Sequence, residues 1–175
     1  MWEYIRGIGC VFILVGSVGT GIAVVATRKR RQKLMNGICH ELTRIQSDVR
    51  FGRMPLSQIF QKINEREKGE FPKILGRIAG KLEMDEGRSF YEIWREEMIM
   101  GLSHESLPEE FLDRIVELGL RLGGADYLLQ EKVFEQTVRQ LEEIVHEFER
   151  KMAEQNRISI SLGITAGISL LLLLW

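Results

Sequence analysis

The sequence predicts an all-α protein: a six-helix cytoplasmic bundle flanked by N- and C-terminal transmembrane helices. Three observations carry that prediction. Apolar residues recur at spacings of three and four through most of the chain, no segment alternates with period two, and an uncharged apolar run stands near each end of the 175 residues. Prolines, which would interrupt helices, number only three.

The first run, Ile8 to Ala26, is long enough to cross the hydrocarbon core of a bilayer as a helix. The last, Ile158 to Trp175, spans about 27 Å at helical rise, near the lower limit for crossing. Arg28, Lys29, Arg30, Arg31 and Lys33 follow the first run, and Arg150, Lys151 and Arg157 precede the second. Basic residues collect on the cytoplasmic side of membrane helices, so the middle of the chain is expected in the cytoplasm and both termini outside. The chain then divides into an N-terminal transmembrane helix (1–27), a cytoplasmic helical bundle (28–157) and a C-terminal transmembrane helix (158–175). Val24-Val25-Ala26 has the form of a signal-peptidase site, but the basic cluster directly after it opposes translocation.

Leu34, Ile38, Leu42, Ile45 and Val49 trace one helical face beyond the first run, so a single rod is expected to continue to Gly52. Pro55 suits the first turn of a second helix, whose stripe is Leu56, Ile59, Phe60 and Ile63. Phe71-Pro72 opens a third, with Ile74, Leu75, Ile78 and Leu82 inward and Gly87 closing it. Ser89 and Glu92 have capping-box spacing, and Phe90, Ile93, Trp94 and Met98 form the inner face of the fourth helix. Ser106 and Glu109 repeat that spacing before a fifth helix carrying Phe111, Ile115, Leu118 and Leu122, stopped by Gly123-Gly124. No Pro or Gly intervenes from Ala125 to Asn156, where Phe134, Val138, Leu141, Val145, Phe148 and Met152 hold a seam that is expected to run on into the last apolar segment.

From Leu34 to Arg157 there are 18 Lys and Arg against 24 Asp and Glu, a net charge of −6. A basic face with stacking aromatics is missing outside the membrane border, which argues against nucleic acid as a partner. Cys10 and Cys39 have neither metal-site nor redox-pair spacing. His40-Glu41 begins like a zinc-protease helix, but Arg44 stands where the second histidine is needed. Gly76 to Lys81 lacks the spacing, the hydroxyl residue and the preceding strand of a phosphate-binding loop, so Gly76 and Gly80 are read as points of close helix contact. Carboxylates such as Glu92 and Glu96 could serve a membrane enzyme acting on lipid or peptidoglycan precursors, yet no catalytic constellation accompanies them. No catalytic residue, metal or cofactor is expected.

The segment Glu83 to Glu117 carries eleven acids against Arg88, Arg95 and Arg114, a net charge of −8. Some of these acids are explained as helix-start residues placed on macrodipoles. Seven of the eleven, Glu83, Asp85, Glu86, Glu96, Glu97, Glu110 and Asp113, form a candidate negative surface that steers a basic cytoplasmic partner. Within the apolar runs, Gly163 with Gly167 and Ser17 with Gly21 are small-residue pairs suited to close packing of membrane helices, with each other or with another membrane protein.

Two motifs at defined distances from the apolar runs, Asp48-Val49-Arg50-Phe51-Gly52-Arg53-Met54-Pro55-Leu56 and Leu118-Gly119-Leu120-Arg121-Leu122-Gly123-Gly124-Ala125-Asp126, complete the outline. With them the whole chain resembles the stage III sporulation protein AB family, whose cytoplasmic domain is similar to the inner-membrane platform protein of type II secretion and type IV pilus systems. The resemblance implies a non-enzymatic platform in the channel complex between mother cell and forespore, in the mother-cell membrane around the forespore. It also implies a cytoplasmic ATPase and other membrane components of the complex as partners. The alternatives are a platform of a pilus or general secretion system and a membrane-anchored signalling adaptor.

Overall fold

A computed structural model describes the backbone of residues 2–52, 54–84, 87–124 and 127–174, and side chains within 25–51, 54–84, 87–124 and 128–155. Among the described residues there are six α-helices and no strand: α1 (Trp2–Gly52), α2 (Leu56–Arg66), α3 (Glu70–Glu83), α4 (Phe90–Leu102), α5 (Glu109–Leu122) and α6 (Tyr127–Leu174), with a short 3₁₀ turn, Ser103–Glu105, after α4. The two long helices are unbroken, and neither contains a proline. Among the described residues no helix is long and apolar enough to cross a membrane. Residues 8–24 of the first apolar run and all of 158–175 lie outside the described side chains, and with them Cys10 and the small pairs Ser17/Gly21 and Gly163/Gly167.

Each helix packs on the next, and α6 returns along α1 to close the ring. Neighbours run antiparallel. Asp48 and Arg44 of α1 face Lys62 and Glu67 in reverse order, while Gln32 and Arg50 reach Glu149 and Glu131 of α6. One end of the bundle therefore gathers the α2–α3 and α4–α5 connections beside residues 30–41 of α1. The other gathers the α1–α2, α3–α4 and α5–α6 turns.

The core holds the stripes legible in the sequence. Ile38, Leu42, Ile45, Ile59, Phe60, Ile74, Leu75, Ile78, Trp94, Met98, Phe111, Ile115, Phe134 and Leu141 are all fully buried. Leu34, Leu56, Leu82, Phe90 and Phe148 are half-buried at its edges. At its centre Trp94 lies between Phe60 and Phe90, with ring centroids 5.9 Å and 5.8 Å away. Its indole nitrogen donates to the Ile115 carbonyl at 2.8 Å, which removes the cost of burying an N–H unpaired.

That seat requires Gly119. A Cβ there would lie 2.1 Å from Cδ1 of Trp94, so the bare backbone of α5 is what admits the indole. Gly101 of α4 likewise admits Ile74, and Gly76 backs onto the Asn64 side chain. Gly80 departs from expectation, because open space surrounds its Cβ position.

Helix ends follow local chemistry, with two corrections. Ser89 caps α4 through a complete capping box with Glu92. Ser106 does not cap α5, which starts at Glu109 after Pro108 and makes no side-chain cap. The reason is Pro108: it disfavours helical backbone at Leu107, which would have to be the first helical residue of a helix capped by Ser106. Ser106 instead turns the chain in the left-handed region at φ 50°. The second correction is α3, which ends at Glu83 where its apolar stripe runs out. Gly87, expected to close it, turns the chain at φ 69° just before Ser89, a conformation glycine adopts without strain.

Candidate docking surface

The acids of the 83–117 segment fall into two sets with different surroundings. The first lies in the seam between α3 and α4. Glu97 is 3% exposed and accepts from Arg77 Nε at 2.6 Å and Lys81 Nζ at 2.8 Å. Glu96 meets Lys81 Nζ at 2.9 Å and is also bonded by Arg88. The Arg88 bond first, and Lys81 second, bring the Glu96 carboxyl down to about 2. For Glu97, burial works to raise the carboxyl, but the bonds from Lys81 and Arg77 outweigh it and the balance is downward. The same bonds, from Glu97 and then Glu96, push Lys81 up. Three cations thus cover two carboxylates, and this set fastens α3 to α4 and presents little free negative charge.

The second set is on α5. Glu110, Asp113, Glu117 and Leu120 succeed one another at spacings of three, four and three, which places them along one outer face. Glu110 and Asp113 are exposed and engage no cation among the described residues. Glu117 accepts from Arg114 at 2.9 Å, and Leu120 is 60% exposed. The face is therefore an acidic stripe ending in an exposed leucine. Glu109 and Glu110 also occupy the first turn, where the helix dipole favours negative charge.

The other acids are dispersed. Glu83 is exposed at the end of α3, whereas Asp85 and Glu86 lie outside the described residues. Glu92 is committed to its cap, whose backbone and hydroxyl bonds from Ser89 hold the carboxyl low. Glu105 pairs with Arg30 at 3.1 Å across the 3₁₀ turn. Of the seven acids grouped by sequence, Glu96 and Glu97 thus belong to a structural seam, Glu110 and Asp113 to an open stripe, and Glu83 to neither.

His40, His104 and His146 are all exposed, and among the described residues no three His, Cys, Asp or Glu side chains gather to hold a metal. Burial pushes the Cys39 thiol up to about 12, which leaves it without nucleophilic character at neutral pH. Sequence reasoning finds Glu41 only as half of a failed zinc motif, yet Glu41 is 9% exposed and its Oε2 has no hydrogen-bond partner among the described residues. The signal was present, because Glu41 stands three after Ile38 and four before Ile45, on the edge of the buried stripe.

These features define a closed helical bundle, carried between two long terminal helices, with an acidic outer stripe on α5. The family of stage III sporulation protein AB matches residues 6–175, and the chain belongs to that family. It is similar to stage III sporulation protein AB of Bacillus subtilis (strain 168), 24% identical over 168 residues that cover 95% of this chain and 97% of the relative. A solved structure of stage III sporulation protein AB (SpoIIIAB) shares the fold with a TM-score of 0.64 at 17% identity, covering 71% of this chain and 98% of that one.

Proposed function

We propose that this chain is a non-enzymatic membrane platform of the channel complex between mother cell and forespore, and that it docks a cytoplasmic secretion-type ATPase through the outer face of α5. Membership in the sporulation family supports this reading over a pilus or general secretion platform and over a signalling adaptor. The observation that carries the docking surface is the Glu110–Asp113–Glu117 stripe, with two carboxylates that engage no cation among the described residues and an exposed leucine at its end. Charges left unpaired on a rigid helix face attract a basic partner, and the leucine supplies apolar area for a contact core. The apolar runs would hold this face close to the inner leaflet, where the ATPase reaches it from the cytoplasm.

The test is binding of the purified ATPase to the full chain in lipid nanodiscs. Charge reversal at Glu110 and Asp113 together should weaken binding about tenfold or more, and raising the salt towards 1 M, where the screening length falls to about 3 Å, should weaken the wild type similarly. Unchanged affinity at low salt would rule this face out. Glu97 is unsuitable for such a test, because reversing it would place a lysine against Arg77 and Lys81 and part α3 from α4.

A further inference from the structure

We infer that the groove between α1 and the start of α3 receives a lysine or arginine side chain presented by a partner protein. The groove encloses about 350 Å³, within the range of ligand-binding clefts. Leu34, Ile38 and Phe71 give it apolar walls suited to an aliphatic stem. Gly37 leaves the α1 side open, with nothing within 4 Å of its Cβ position.

The head group is specified by Glu41, which lines the groove. Its Oε2 is covered and accepts no hydrogen bond, while its other oxygen stands 3.9 Å from Arg44, whose guanidinium is bonded instead to Glu67. Burial raises the Glu41 carboxyl, opposed by Arg44 and His40 and reinforced by Glu67. A carboxylate left short of donors in an apolar groove is complementary to a desolvated cation. The last torsion of a glutamate side chain is broad, so rotation about it lets a carboxylate oxygen of Glu41 meet a cation in the groove.

Cations at the mouth do not reverse this assignment. Arg30 is held by Glu105, and Lys33 and Lys68 are exposed to solvent, where their charge is screened. The inference rests on the docking reading only for the partner being a protein, and it concerns a different part of the surface.

The experiment is a ligand-observed NMR titration of the full chain in detergent micelles with butylguanidinium, butylammonium and inorganic phosphate. The cations should bind saturably, and more tightly at pH 8 than at pH 5. Glu41→Gln, which keeps the shape and removes the charge, should weaken them about tenfold or more. Gly37→Leu, which projects into open space and fills the groove, should abolish the binding without unfolding the chain. Cation binding that is absent, that survives either substitution, or that is replaced by phosphate binding would overturn the proposal. Because no ATPase is present, such a failure would leave the α5 reading intact.

Discussion

Truncating Trp94 to alanine removes an indole that is fully buried and hydrogen-bonded to α5, and should cost about 3 to 5 kcal/mol. Two glycines, one on α5 and one on α3, should then behave oppositely. Gly119→Ala drives a methyl into the indole and should destabilise by about 1 to 3 kcal/mol. Gly80→Ala meets open space inside a helix and should stabilise by about 0.5 to 1 kcal/mol, because alanine loses less backbone freedom on folding. Urea unfolding of the full chain in detergent, followed by circular dichroism, reads all three. The burial of Trp94 was legible in the spacing of Phe90, Ile93 and Met98 around it. The need for a glycine opposite it was not, since close approach between helices depends on their relative rotation. For the same reason Phe148, on the expected seam, proves only half-buried.

At the scale of elements, the α3–α4 seam makes stability depend on acid. Glu96 and Glu97 have folded values below their ordinary ones, so their contribution is present in full above about pH 4.5. It is lost as pH falls towards about 2, the folded value of Glu96. Thermal unfolding of the wild type should accordingly show a steeper fall in Tm between pH 5 and pH 3 than Glu96→Gln, which has no carboxyl to protonate. A parallel fall in the two proteins would mean that Glu96 contributes nothing to the acid dependence. Glu41 has the opposite sign: its raised carboxyl loses stability as pH rises through the folded value. The number and order of the helices could be read directly from apolar periodicity and from Gly52, Pro55 and Gly123. Capping was readable where the residue inside the helix start was free to adopt helical backbone, as after Ser89, and misread where Pro108 constrained it.

At the scale of the whole molecule, the ring closes because α6 lies antiparallel along α1, so the two long helices leave the bundle at the same end. The acidic density of the 83–117 segment was plain in the sequence, but its division was not. Helical spacing alone could not tell that Glu96 and Glu97 face Lys81, Arg77 and Arg88 across a seam while Glu110 and Asp113 face outward. The proposed partner recognition on α5 is tested most directly by a photo-crosslinking amino acid introduced into the full chain in sporulating cells. At position 113 it should trap the cytoplasmic ATPase, and at Gln61, exposed on α2, it should not. Crosslinks to the ATPase from position 61 but none from position 113 would contradict the account.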